Sequence, residues 1–408
     1  MKTKVKAHKS KFLNIWFTNA DTLTQGKILE LKRDISRSNP PPDIIAISEL
    51  KPKYYKRELD AREFNITGYE FEHKNLHKDD STRGIAIYVN SALKYSPINP
   101  LELATKSEGI PKEVVCIKVH LARNQTMLLC HIYRSPNNTT CDNVNIDSFI
   151  KDIGMQNFSH KVIVGDFNRR KINWDTVTST CEEDITFIEA CRDSLLSQHV
   201  LTPTRGRGTD NPSLIDLFLC TNEDDVQEVN VDSPLGKSDH SVVKVKYCAC
   251  AFKNSTKIVK NYEKGDYNLM KELMNLDWED TLLMFGDDVD KMWEEFLRLY
   301  NECEQISIPR KTIRGSKHIN LSRQEHSKRK KKQRLWKQYL TSKDENILME
   351  YRRCRNQLRR VTRKAVKAHE KNIASYAKTN SKVFWKYVNS KVKSRSVIPD
   401  LVIKERNS

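Results

Sequence analysis

No stretch of this 408-residue chain offers about 18 consecutive apolar residues, so no segment is predicted to span a membrane. The N-terminus, Met1 to Ser10, is basic but has no apolar core behind it, which excludes a signal peptide. Paired cysteines at metal-ligand spacing are missing too. Only Cys248 and Cys250 lie close, and no second pair completes a zinc site. The ten cysteines therefore read as reduced residues of an intracellular protein. Without a secretory signal, the Asn-x-Thr triplets at Asn65, Asn124 and Asn138 carry no weight. No internal repeat is visible.

Charge is distributed unevenly. The formal net charge is +18, but residues 309–408 hold 30 Lys/Arg and 7 Asp/Glu, a net +23. The first 308 residues hold 41 and 46, a net −5. The basic excess of the tail implies a polyanionic partner, with nucleic acid the first choice.

The front of the chain reads as strands with a few helices. Phe12–Thr18, Asp43–Ser48, Arg83–Val89, Val114–Leu121, Met127–Tyr133, Lys161–Val164, Leu214–Cys220, Val226–Val231 and Ser241–Tyr247 are predicted strands. Gln25–Ser36, Asp147–Gly154 and Glu183–Leu196 are predicted helices, the first stopped by Asn39-Pro-Pro-Pro42. Strands do not alternate strictly with helices. The class is therefore α+β, or a two-sheet sandwich with helices outside, and not a doubly wound sheet.

Composition then shifts twice. From residue 249 to 308 acids outnumber bases thirteen to seven, and Trp278, Trp293, Phe296 and Leu299 have helical spacing. A linker with short helices is predicted there. From Arg323, seven of twelve residues are Lys or Arg. Ile347, Tyr351, Cys354, Leu358, Val361, Ala365 and Ala368 then recur at alternating spacings of four and three, the seam of a long helix hairpinned against another. Three regions result: 10–250, 251–308, and a basic helical region 309–408 that binds nucleic acid or serves as a linker.

Chemistry centres on Lys161-Val-Ile-Val-Gly-Asp-Phe-Asn168. A buried strand ends at Gly165, and Asp166 and Asn168, two apart on extended chain, point the same way. Other polar residues fall at strand ends: Asn19, Asp21, Glu49, Tyr133, Asp216, Asp239 and His240. Carboxylates gathered at one sheet edge repel one another unless a cation sits among them. Oxygen ligands select Mg²⁺ or Mn²⁺ over zinc. A single histidine among carboxylates suits acid–base or electrostatic work on a phosphate.

The order Asn19, Glu49, Tyr133, Gly165-Asp-Phe-Asn168, Asp216, Ser238-Asp-His240 resembles the endonuclease/exonuclease/phosphatase superfamily, which includes apurinic endonucleases and deoxyribonuclease I. It is most similar to the endonuclease domain of non-LTR (LINE-type) retrotransposon polyproteins. Ile47-Ser-Glu-Leu-Lys-Pro-Lys53, Arg83-Gly-Ile-Ala-Ile-Tyr-Val89, Tyr133-Arg-Ser-Pro136, Pro203-Thr-Arg205 and Leu214-Ile-Asp-Leu-Phe-Leu219 carry that closer likeness. One departure is Asn19-Ala-Asp21-Thr22, where many retrotransposon relatives have Asn-x-Arg-Ser; Asp21 follows the apurinic pattern.

The resemblance implies a four-layered α/β sandwich, two packed sheets flanked by helices, over residues 10–250. It implies Glu49 as principal metal ligand, with Asp21 and Asp239 as helpers. Asp166 would orient and deprotonate water, while Asn19, Asn168 and Tyr133 hold phosphate oxygens. His240, paired with Asp216, would stabilise the pentacovalent phosphate. The implied reaction is Mg²⁺-dependent hydrolysis of a DNA phosphodiester, a nick leaving a 3′-hydroxyl for target-primed reverse transcription. DNA is the implied partner, with element RNA a second partner of the basic tail. Lys328–Lys332 read as a nuclear localisation signal imply a nuclear, and also cytoplasmic, location. Adjacent aspartates occur only at Asp79-Asp80, Asp224-Asp225 and Asp287-Asp288, none with an aromatic two residues ahead, so a reverse transcriptase is expected to be absent from a truncated polyprotein. The alternatives are a phosphatase or phosphodiesterase of the same fold acting on a non-DNA phosphoester, and a non-catalytic nucleic-acid-binding remnant.

Overall fold

The computed structural model describes residues 8–78, 81–105, 109–206, 211–253, 258–312 and 323–392. Asp79-Asp80, the N-terminal basic run before His8 and the apolar Val397-Ile-Pro399 lie outside them. The chain divides into two units, one of residues 1–6 and 254–316, the other of 7–253 and 317–408.

In the larger unit β1 (His8–Asn19) is followed by α1 (Gln25–Arg37), β2 (Ile44–Ser48), β3 (Tyr69–Lys74), β4 (Ile85–Asn90), β5 (Tyr95–Ile98), β6 (Val114–His120) and β7 (Thr126–Tyr133). Next come α2 (Thr140–Met155), β8 (His160–Asp166), α3 (Glu182–Asp193), β9 (Ser197–Gln198), β10 (Asp216–Cys220), β11 (Val226–Asp232) and β12 (Val242–Lys253). The strands form two six-stranded sheets, ordered β11-β12-β1-β2-β4-β3 and β5-β6-β7-β8-β10-β9.

Both faces of the central strands are buried, which is why β2 reads as the unbroken run Ile-Ile-Ala-Ile. Alternate residues do different work. Leu13, Ile15, Phe17, Ile44 and Ala46 meet Val162, Val164 and Phe218 between the sheets. Trp16, Ile45 and Ile47 face outward onto Ile28, Leu31 and Ile35 of α1. On the other side, Ile163, Leu217 and Leu219 pack with Phe149, Ile150 and Phe187 of α2 and α3. These are the four layers the resemblance implied. Three strands that the sequence did not single out, β3, β5 and β9, are at or beside sheet edges, where only part of each strand is covered. Helix α2 begins two turns earlier than Asp147 because Thr139 and Asp142 cap each other reciprocally at its start.

In the smaller unit β13 (Ile258–Lys260) pairs with β14 (Arg310–Thr312). Between them run α4 (Tyr267–Leu273), α5 (Trp278–Leu283) and α6 (Val289–Ser307). Trp278, Trp293 and Tyr300 gather on Phe296; Trp278, Trp293 and Phe296 are among the residues whose spacing predicted helices.

The basic region forms α7 (Arg323–Ser342), α8 (Glu345–Ser375) and α9 (Ser381–Val392). Helices α7 and α8 pair through Leu335, Trp336, Tyr339, Leu348, Tyr351 and Cys354, so the upper half of the predicted seam is a seam, while Ala368 faces solvent. Helix α7 docks on the sandwich. The Trp336 indole N–H donates to Ser241 Oγ at 2.8 Å, Lys332 Nζ donates to Glu30 and to Pro234 O, and Arg329 pairs with Asp34 at 2.9 Å. Within the Lys328–Lys332 run, Lys332 is buried and Arg329 is paired with Asp34, while Lys330 and Lys331 are exposed, Lys331 pairing with Glu350 at the surface. Among the described residues no helix is long and apolar enough to cross a membrane.

Gly165 shows how tightly the central strands are set. Its φ is +153°, and a Cβ there would lie 1.8 Å from the Ile132 carbonyl oxygen on the neighbouring parallel strand β7. Gly165→Ala is expected to cost about 3 kcal/mol or to prevent folding, on the scale of overpacked cores. A urea midpoint equal to that of the unsubstituted protein would contradict this.

Candidate active site

Strand direction brings the predicted residues to one edge. The parallel pair β1–β2 aligns Asn19 with Ser48, so Glu49 emerges beside Asn19. The parallel pair β7–β8 aligns Tyr133 with Asp166. Strand β10 runs antiparallel to β8, so its first residue, Asp216, lies opposite Asp166. Strand β12 runs antiparallel to β1 and is entered from Ser238-Asp239-His240, beside the end of β1. Ser238 Oγ secures that entry by donating to Asn19 O at 2.7 Å and accepting from the His240 N–H at 3.1 Å.

Three of these side chains form a buried set. Asp166 and Asp216 are 1% exposed and His240 is 4% exposed. His240 Nδ1 lies 2.9 Å from Asp216 Oδ2, and Nε2 lies 3.7 Å from Asp166 Oδ2. Burial opposes a charge on the imidazole, but the carboxylates of Asp216 and Asp166 outweigh it and lift His240 to about 10. Burial lifts the Asp166 carboxyl to about 7, against the pull of His240. Asp166 also accepts from the Asn19 amide at 2.8 Å and from the Asn168 backbone N–H at 3.0 Å.

Glu49 faces Asp166 and Asp216 from the other sheet, the one that His240 enters through β12. Its backbone is left-handed, with φ +57°, a conformation that costs a side-chain-bearing residue about 1 kcal/mol or more. One carboxylate oxygen accepts from Tyr133 Oη at 2.7 Å, and the other meets Arg83 Nη2 at 2.5 Å. The same guanidinium nitrogen lies 3.3 Å from Asp21 Oδ1. Two carboxylates thus converge on one cationic group, and their oxygen-only donor set fits a hard divalent ion. Asp239 is held apart from this pair, by Arg205 at 3.0 Å, with His240 Nε2 at 3.9 Å from its other oxygen. Glu49, Asp21 and Asp239 still line one cleft.

Asp166, Asp216 and His240 are a second group close enough to hold an ion, their ligand atoms lying within 4.8 Å of one another. With the imidazole lifted to about 10, an ion entering this group would have to displace the proton on a ring nitrogen.

The donors expected to hold phosphate are partly engaged. The Asn168 side-chain amide donates to Arg134 O at 2.8 Å and the Asn19 amide to Asp166, and each retains a second N–H. Tyr133 has one proton and gives it to Glu49.

Several supporting residues carried no assigned role in the sequence reading. Arg83 bridges Glu49 and Asp21. Thr204 is fully buried, accepts from the Asp216 N–H at 3.1 Å, and takes the Ser241 N–H on its carbonyl at 2.7 Å. Pro203-Thr-Arg205 was a visible signal, and its middle and last residues brace Asp216 and Asp239. Lys27, eight residues beyond Asn19, donates to the carbonyls of Ala20 and Asp21.

The charged His240 makes a prediction for the metal-free protein. A raised imidazole pKa contributes stability that is fully present below about pH 6.5 and is lost as pH rises through about 10. Asp216→Asn removes the nearest carboxylate, so it should lower the His240 pKa by at least one unit and flatten stability over that range. NMR titration of the His240 ring reads this directly. A ring titrating near 6.5 in both proteins would contradict the geometry.

Comparison with known proteins bears on the same residues. Residues 127–244 match the family model described as endonuclease-reverse transcriptase. Among solved structures, the endonuclease domain of TRAS1, a telomere-specific non-LTR retrotransposon, is 17% identical with a TM-score of 0.43, covering 58% of this chain and 98% of that one. The AP endonuclease LMAP from Leishmania major is 14% identical with a TM-score of 0.45, covering 58% and 88%. The inositol polyphosphate 5-phosphatase domain of SPsynaptojanin is 15% identical with a TM-score of 0.40, covering 74% and 93%. No curated protein matches the chain. Over residues 127–244, which supply Tyr133, Asp166, Asn168, Asp216, Asp239 and His240, the chain matches the endonuclease–reverse transcriptase family, as the resemblance in its sequence implied.

Proposed function

We propose that this protein is a metal-dependent endonuclease that nicks DNA, leaving a 3′-hydroxyl and a 5′-phosphate. The buried Asp166–His240–Asp216 set, with Glu49 and Asp21 across the cleft, is the observation that supports it. Asp166, supported by Asn19 and Asn168, takes a proton from a water aimed at the phosphorus. His240, kept charged by Asp216, donates hydrogen bonds to the phosphate oxygens as negative charge builds on them. The second N–H of Asn168 and of Asn19 faces the same oxygens. Tyr133 holds Glu49 in position. Glu49 with Asp21, helped by Asp239, would hold Mg²⁺ or Mn²⁺. When bound, such an ion neutralises charge on the phosphate and the leaving oxygen.

The test is relaxation of supercoiled plasmid with Mg²⁺, run beside phosphate release from inositol phosphates. Nicking should vanish with EDTA and fall about 100-fold or more in Glu49→Ala, Asp166→Ala and His240→Ala, each of which removes a contact to the transition state. Nicking that survives EDTA would remove the metal from the mechanism. Inositol-phosphate release without nicking would favour a phosphatase of the same fold.

A further inference from the structure

The catalytic cleft has a wall that does not come from the sandwich. It encloses about 410 Å³ and is lined by Glu49, Asn168, Asp239 and His240 on one side and by Tyr351, Arg352 and Arg355 of α8 on the other. The hairpin that carries α8 is fixed there. Trp336 is 2% exposed and its hydrogen bond goes to Ser241, the residue after His240. Arg33 also pairs with Glu325 at the start of α7, where both side chains are buried.

The two helices use their charges differently. Three basic residues of α7 are committed to acids: Arg329 to Asp34, Lys331 to Glu350 and Lys332 to Glu30. Among the described residues no ion pair engages Arg352, nor Arg170 and Lys237 across the cleft from it. Arg355 is half-buried with its guanidinium 5.8 Å from the Tyr351 ring, and its Nε has no hydrogen-bond partner. Positions three apart on a helix place Arg352 and Arg355 on neighbouring turns, about 5–6 Å apart at Cβ. Guanidiniums set beside a reacting centre, rather than within it, suit a substrate that continues as a chain of phosphates. A segment that plugged a nuclease cleft would mimic the substrate with carboxylates, and α8 presents arginines instead.

We propose that α8 is part of the substrate-binding surface, with Arg352 and Arg355 holding backbone phosphates that flank the one being cleaved. This rests on the reading of the chain as a nuclease. The basic tail would then complete the cleft and not merely add affinity at a distance.

The experiment uses the full chain carrying R352A/R355A and, separately, R352K/R355K, each checked for an unchanged unfolding midpoint. For plasmid nicking, R352A/R355A should raise KM at least tenfold, with the loss falling on KM more than on kcat. It should also make the dependence of log KM on log salt shallower by about one to two, as expected for two lost phosphate contacts. The loss should be at least tenfold greater on plasmid than on bis(p-nitrophenyl) phosphate, a diester with no flanking phosphates. R352K/R355K should recover most of the salt slope. An unchanged KM and slope would overturn the proposal, and faster nicking by R352A/R355A would mark α8 as an obstruction. If the unsubstituted protein nicks no nucleic acid yet releases phosphate from inositol phosphates, the nuclease reading itself fails and this proposal falls with it.

Discussion

Two carboxylates stand opposite each other in the β8–β10 register, Asp166 and Asp216, both almost wholly buried. Such a pair cannot hold two charges in a low-dielectric interior without a cation. His240 is that cation. Its imidazole lies between them, and its own charge is maintained by the carboxylates it serves. The packing around it follows from keeping this arrangement fixed. Thr204 holds the start of β10, Ser238 holds the turn before His240, and Asn19 holds Asp166.

Cations compensate the acids across the rest of the cleft too. Arg83 answers Glu49 and Asp21, and Arg205 answers Asp239. Arg170, Lys237, Arg352 and Arg355 are left over at the rim. The cleft therefore combines a compensated acidic centre with an uncompensated basic border, a distribution suited to a polyanion that must be gripped at its flanks and attacked at one phosphate.

The central strands were legible because burial on both faces writes unbroken apolar runs, as in Ile44–Ile47 and Val162–Val164. Strands β3 and β5 were not, because Tyr-Glu-Phe-Glu-His-Lys is half exposed and Pro97 interrupts the other at a sheet edge. The residues that gather at the cleft were legible for a topological reason: the ends of parallel strands and the starts of their antiparallel neighbours share one edge. Their partners were harder to read. Nothing local couples Arg83 to Glu49, 34 positions earlier, or Trp336 to Ser241, 95 positions earlier. The seam from Ile347 announced a helix pair, but heptad spacing holds no information about the sandwich surface on which that pair docks.

The proposed function also specifies which bond breaks. On the proposed reading, water directed by Asp166 would attack phosphorus in line with a departing 3′-oxygen, as the resemblance implies, and the phosphate would stay on the 5′ side. Plasmid nicked by the protein and then treated with DNA ligase and ATP reports this in one step. Ligase is expected to reseal the nicks directly, since on the proposed reading they would carry a 3′-hydroxyl and a 5′-phosphate. Nicks that resist ligase until the 3′ end is dephosphorylated and the 5′ end rephosphorylated would contradict it.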